Sequence, residues 1–284
     1  MNTESGLVVV DKPGGITSHD VVSRVRRLAG IRKVGHAGTL DPMATGVLVL
    51  GIGRATRLLG HLTMADKRYS ATIRLGASTT TDDADGDVVE THPTDELSED
   101  AVRSALADLV GEIDQVPSSV SAIMVDGRRA YARVRAGEQV DLPARRVVVH
   151  EIAVTSLDLP MLDVDVHCSS GTYVRSLARD LGAALGVGGH LTALRRTAVG
   201  PFPLAAARTL DELADSFTLT PIAEAARVSF PALELDEAQV ADVRVGRSLD
   251  LHLDATTGLF SSDGEFLALY APRDGGAKPL AVFV

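Results

Sequence analysis

Apolar residues in this chain recur in two rhythms, and the change of rhythm along the sequence predicts its elements. Leu7-Val8-Val9-Val10 and Val47-Leu48-Val49-Leu50 are unbroken apolar runs, as expected of buried strands. Tyr69 to Leu75 alternates apolar with other side chains, and Val147 to Val149 and Val164 to Cys168 read as strands of a sheet covered on one face. Between these runs the spacing turns helical. Val21, Val22, Val25 and Leu28 form one stripe, with Thr17 or Ser18 as N-cap and Gly30 as the stop. Ser98 caps a second helix carrying Val102, Ala105, Leu106 and Leu109, which Gly111 ends. A third begins near Tyr173 and buries Val174, Leu177, Leu181 and Leu185. A short helix is expected over Ala55 to His61. From about Val228 the pattern becomes short strands with turns at Gly246, Thr257-Gly258 and Asp263-Gly264. The prediction is an α+β protein: a sheet flanked by helices over residues 1–227, then a small β-rich domain over 228–284.

The stretch Gly35-His36-Ala37-Gly38-Thr39-Leu40-Asp41-Pro42, continuing to Gly46, breaks both rhythms. Three glycines and a proline in twelve residues rule out a helix and impose a tightly turned backbone. The buried run Val47 to Leu50 follows at once and anchors it. Pro42 pushes Asp41 toward an extended conformation, so the backbone sets the direction of the carboxylate. Asp41 is therefore the candidate reactive group.

These residues also carry a resemblance. Gly35 to Gly46 resembles the catalytic motif of the TruB family of bacterial tRNA pseudouridine synthases. Three further segments agree in the family's order: Val10-Asp11-Lys12-Pro13 leading to Thr17-Ser18-His19, then Lys67-Arg68-Tyr69, then Ser170-Gly171-Thr172-Tyr173-Val174-Arg175. The resemblance covers most of residues 6 to 200. It implies a pseudouridine-synthase fold with a mixed, largely antiparallel sheet. It also implies isomerisation of the uridine at position 55, in the T-arm loop of tRNA, without a cofactor. Asp41 would be the nucleophile. Arg175, at a helix N-terminus where a cation is unfavourable without an anionic partner, would hold it by a bidentate pair. Tyr69 would stack on the uracil and act on the C5 proton. His36 and Tyr173 would hold the extruded nucleotide, and Leu194 would line the pocket. Lys12-Pro13 would support the loop. The chain departs from the family at Met124, where a lysine usually stands. The basic stretch from Gly127 to Arg146, with Tyr131 and Arg135, would embrace RNA. The short, turn-rich strands from about Val228 resemble a PUA-like RNA-binding module, removable with the catalytic domain left folded; an accessory β-domain with no RNA role is the other reading.

Net charge, −10, at first opposes an RNA substrate. Residues 82–100, however, hold nine carboxylates and no Lys or Arg; setting them aside leaves 29 acidic against 28 basic residues. That distribution predicts a basic cleft passing Asp41, with the acidic patch remote from it. One cysteine, Cys168, excludes an internal disulfide and suits a reducing cytosol. No signal peptide, membrane span or protein partner is expected, and the default is a cytoplasmic monomer.

Other chemistries fit less well. Gly51-Ile52-Gly53 follows a strand but lacks the third glycine of a dinucleotide fingerprint, since Thr56 stands there. Asp83, Asp85 and Gly86 match part of a calcium loop, but Thr81 and His92 occupy its first and last ligand positions, so a hairpin turning at Asp85-Gly86 is expected instead. His150 and His167 read as structural histidines, and no metal is expected. A glycoside hydrolase would need a second carboxylate in a motif of its own. A tRNA-binding protein without chemistry remains the other reading.

Overall fold

The computed structural model describes residues 5–119 and 142–284, and residues 124, 125, 127–129, 133 and 138 between them. Tyr131 and Arg135, and most of the basic stretch they belong to, lie outside the described residues.

β1 (Gly6–Lys12) pairs antiparallel with β3 (Thr45–Ile52), and the short β2 (Val34–His36) pairs with the other end of β3. The unbroken run of β3 is buried on both faces. Val47 and Val49 pack with Leu7, Val9 and Leu58; Leu48, Leu50 and Ile52 pack with Val8, Val10 and the helix Ser18–Ala29. That helix is fixed at both ends. Thr17 and Asp20 form a reciprocal capping box, and Gly30 closes it in the left-handed region at φ 65°. Val21, Val22 and Val25 are its buried stripe, whereas Leu28 is 36 % exposed.

The predicted helix at Ala55–His61 is a 3₁₀ turn, Gly53–Arg57, followed by the α-helix Leu59–Thr63. β4 (Lys67–Leu75) then enters the centre of the sheet. β5 (Ala77–Thr79) and β6 (Val88–Thr91) form the expected hairpin, its turn closed by Gly86 N–H donating to Asp83 O. Ser98 caps the helix Glu99–Ala107; Gly111 opens β7 (Gly111–Gln115). β8 (Met124–Val125) pairs with β9 (Arg128–Arg129).

β10 (Arg145–Asp158) and β11 (Met161–Cys168) are a long antiparallel pair, and the helix Val174–Ala184 leads into β12 (Gly189–Val199). β13 (Phe202–Pro203) and β14 (Thr220–Pro221) complete a ten-stranded sheet. Its main order is β14-β1-β3-β12-β4-β11-β10-β7, and only β3–β12 is parallel. Helices Val174–Ala184 and Glu99–Ala107 cover Ile73, Leu75, Val149 and Val164 on one face.

β15 (Ala232–Glu234), β16 (Thr257–Phe260), β17 (Phe266–Arg273) and β18 (Gly276–Val282) form a separate four-stranded sheet. The helix Ile222–Ser229 runs across the expected boundary at 227/228. This sheet also shares a core with the large one: Phe260, Phe266, Leu269 and Phe283 pack in one cluster with Leu7, Val49 and Leu58. Arg54 Nη1 donates to Phe283 O at 2.5 Å, and Arg57 Nη1 donates to Val282 O. The C-terminal sheet is thus packed against the large one through a common core. Among the described residues no helix is long and apolar enough to cross a membrane.

Candidate active site

The loop from Gly35 to Gly46 is held from three directions. Lys12 Nζ donates to Pro13 O (2.8 Å) and Pro42 O (3.2 Å), and Gly15 N–H donates to Pro42 O (2.8 Å). Ser18 Oγ, buried at the start of its helix, accepts from Leu40 N–H (2.8 Å) and donates to Leu40 O (3.1 Å). From beneath, the buried Arg196 guanidinium donates to Val47 O (2.7 Å), Gly38 O (3.1 Å) and Thr39 O (3.4 Å). The expected supporting role of Lys12 is borne out; Ser18 and Arg196 are additions that the sequence reading missed. Gly46 has φ +98°, and a Cβ there would lie 2.2 Å from Arg196 O, so the parallel β3–β12 contact requires glycine.

Asp41 emerges from this scaffold with its side chain one-third exposed. Arg175, 3 % exposed, donates from Nε to Asp41 Oδ2 at 2.9 Å. The pair uses this one donor, not the bidentate fork expected from sequence. The reason is competition: Arg175 Nε is also 3.5 Å from Asp83 Oδ2, and Nη1 donates to Thr81 O (2.7 Å) and Ser118 Oγ (2.9 Å). Among the described residues, Asp41 Oδ1 carries no hydrogen bond. Asp83 is fixed in turn by Thr81 Oγ1 and Asp85 N–H, both donating to its Oδ1. The acidic stretch is therefore not wholly remote. Asp83 belongs to the site, and Asp82 pairs with Arg179 at 3.4 Å.

Gln115 clamps the entry to the helix bearing Arg175. Its Nε2 donates to Tyr173 O (3.1 Å), and its Oε1 accepts from Tyr173 N–H (2.8 Å). No local motif marks Gln115 or Thr81 as a site residue.

A cavity of about 370 Å³, within the range of small-ligand pockets, opens over Asp41. Tyr69, Tyr173, Arg175 and Leu194 line it with Asp41, so five of the six predicted site residues come together. His36 does not line it; it stands half-buried at the end of β2. Lys67, Arg196 and Met64 also line it. Burial raises the Tyr69 phenol above its ordinary pKa, with Arg196 opposing, so its hydroxyl is protonated at neutral pH. Burial lowers Lys67 to about 8, and Arg196 adds to the effect. Burial also lowers Lys12 to about 8, against the attraction of Asp41. Lys67 Nζ is held by Thr63 O (2.9 Å) and Ala65 O (2.6 Å).

The site thus presents one accessible carboxylate oxygen beside a buried guanidinium, with an aromatic and an aliphatic wall. Such a pocket can hold a planar base on Tyr69 and Leu194 while the carboxylate reaches the attached sugar. Residues 26–174 match the family described as TruB family pseudouridylate synthase (N terminal domain). Residues 175–233 match the tRNA pseudouridylate synthase B C-terminal domain, and residues 230–284 match tRNA Pseudouridine synthase II, C terminal. The chain is 58 % identical over 287 residues to tRNA pseudouridine synthase B of Thermobifida fusca, covering 98 % of each. It is 56 % identical over 295 residues to the Cutibacterium acnes protein of that name, covering 100 % of each. Among solved structures it is similar to a chain of a Cbf5-Nop10-Gar1 complex, with TM-score 0.78 and 26 % identity over 100 % of this chain and 86 % of that one. A chain of an H/ACA RNP bound to a substrate RNA containing 2′-deoxyuridine gives TM-score 0.75 and 25 % identity over 98 % and 85 %. The chain belongs to the TruB family of pseudouridylate synthases.

Proposed function

We infer that this protein isomerises uridine to pseudouridine in tRNA, at position 55 of the T-arm loop, with Asp41 as nucleophile. The observation that carries the chemistry is the Asp41 carboxylate, held through one oxygen by Arg175 and directed into a pocket walled by Tyr69 and Leu194. Relatives named tRNA pseudouridine synthase B support the substrate class.

The target uridine is flipped out of the loop at a cost of a few kcal/mol, which contacts to the arm must offset. Its base stacks on Tyr69. The N1–C1′ bond breaks as Asp41 either attacks C1′ or draws a proton from the sugar toward a glycal. The base then turns, C5 bonds C1′ as Asp41 leaves C1′ or the sugar proton returns, N1 takes up a proton, and the C5 proton leaves, the Tyr69 hydroxyl relaying it. Atoms and oxidation state balance without a cofactor. Tyr173 packs against the flipped nucleotide, while His36, outside the pocket, meets the RNA beside it. Residues 1–227 are the catalytic part, and the C-terminal sheet is a second, PUA-like RNA contact.

The test pairs a pseudouridine assay on unmodified tRNA with a binding titration of Asp41→Asn. The amide keeps shape and polarity but lacks the charge. Product should become undetectable while the Kd stays within a few-fold. Isomerisation at a comparable rate would remove Asp41 as nucleophile; wild-type protein that binds tRNA without forming pseudouridine would leave the binding-protein reading.

A further inference from the structure

Outside the pocket, three ligand-bearing side chains far apart in sequence converge. Asp66 lies in the turn before β4, His150 in β10 and His167 in β11. Asp66 Oδ2 is 3.2 Å from His150 Nε2 and 3.6 Å from His167 Nε2. The two imidazole rings have centroids 4.6 Å apart, and one ligand atom from each residue lies within 4.8 Å of the others. We propose that Asp66, His150 and His167 form a binding site for a divalent transition cation of the zinc class. This inference is independent of the isomerase reading.

Distance is the first argument. Ligand atoms placed tetrahedrally at 2.0–2.1 Å from zinc are about 3.3–3.4 Å apart. The two carboxylate–imidazole separations straddle that value, so small side-chain rotations close the trio on an ion. Donor chemistry is the second. Two imidazoles and a carboxylate make a three-ligand set that leaves a fourth position for water. Asp66 and His150 are exposed and His167 is half-buried, so an ion has an open approach.

The backbone gives a separate argument. The β10–β11 register slips between Val149 and Glu151, so His150 and Glu151 together face His167. A bulge of this kind is a device for re-aiming a side chain.

An ion at this point would brace the rim of the catalytic pocket. Asp66 O accepts from Gly200 N–H at 2.8 Å, just beyond β12, and the next residue is Lys67 of the pocket wall. Metal bound by Asp66 would tie that turn to β10 and β11.

The experiment uses full-length protein without a histidine tag, stripped with a chelator and titrated calorimetrically with zinc chloride. One ion per chain with micromolar or tighter affinity is expected. Cobalt(II) should give the intense visible bands of a low-coordinate site, and zinc should raise the melting temperature. His150→Ala and His167→Ala should each weaken binding by more than the roughly tenfold that changes around a metal site cost. Both should abolish the zinc-dependent rise in melting temperature while leaving pseudouridine formation in chelator unchanged. Binding only at millimolar zinc, or binding undiminished in the double variant, overturns the proposal and leaves an Asp–His ion pair.

Discussion

Asp83→Asn tests how the two carboxylates divide one guanidinium. Arg175 is almost fully buried, with Asp41 Oδ2 at 2.9 Å and Asp83 Oδ2 at 3.5 Å from the same Nε. At an effective dielectric constant of about 20, a charge pair at the second distance attracts by about 5 kcal/mol. The two carboxylates sharing one nitrogen also repel each other, and burying Asp83 costs hydration, so the net attraction is smaller. Removing the Asp83 charge should therefore destabilise the fold by less than that attraction, read as a lower midpoint in urea at unchanged m-value. The catalytic effect has a different origin. With Asp83 neutral, Asp41 is the carboxylate left on Arg175 among the described residues, and the guanidinium draws Asp41 toward itself and away from the sugar. Its activated form is then harder to reach, so kcat should fall roughly tenfold or more while tRNA affinity stays within a few-fold. Asn retains an oxygen to accept from Thr81 and Asp85, so the hairpin should persist. A single-turnover pseudouridine assay beside the urea titration checks both. Wild-type kcat together with a stability loss below a few tenths of a kcal/mol would refute the shared-guanidinium argument.

Three further outcomes are expected. Tyr69→Phe keeps the aromatic wall but removes a hydroxyl that burial holds protonated, so binding should persist while a late step slows; a quench series that separates bond cleavage from product release reads this. Lys67, lowered to about 8, is charged below that pH and neutral above it, so tRNA affinity should weaken as pH rises through 8, less so in Lys67→Met. The same shift has a signed effect on stability: the folded state binds fewer protons than the unfolded one between pH 8 and 10.5, so this lysine's contribution becomes more favourable across that window, and Lys67→Met should flatten it in urea titrations at stepped pH. Truncation from residue 228 removes Phe260, Phe266 and Phe283 from the core shared with Leu7 and Val49, so the fragment should melt well below the full chain or aggregate; a melting temperature equal to that of the full chain would count against that core.

The elements with strong local patterns were legible in the sequence. The run Val47–Leu50 and the stripe Val21, Val22, Val25 declare a buried strand and an amphipathic helix without help from the rest of the chain. Asp41 was legible for a related reason, since Pro42 and the glycines around it restrict the backbone locally. The parts that were misread depend on contacts between distant segments. Asp83 looked like one more carboxylate in an acidic run until the β5–β6 hairpin carried it to Arg175. Arg196 has no local signal, because its role is to donate to loop carbonyls some 150 residues away in sequence. The bidentate expectation failed because Arg175 had further partners, Thr81 and Ser118, that only the fold reveals. The C-terminal unit looked separable because its strand pattern changes; the phenylalanines that join it to the large sheet are compatible with either arrangement.

The parallel contact between β3 and β12 has a consequence for biosynthesis. It places Arg195 and Arg196 against Thr45 and Gly46, and Arg196 is the clamp beneath the loop that carries Asp41. The loop leaves the ribosome early, its clamp about 150 residues later, and Arg175 not long before the clamp. Throughout that interval Asp41 is tethered to a strand but has neither its guanidinium partner nor its floor. The nascent chain therefore carries the reactive carboxylate in an unassembled state, and competence arises only when β12 inserts between β3 and β4. Closing the centre of the sheet and completing the support beneath the Asp41 loop are therefore one physical event.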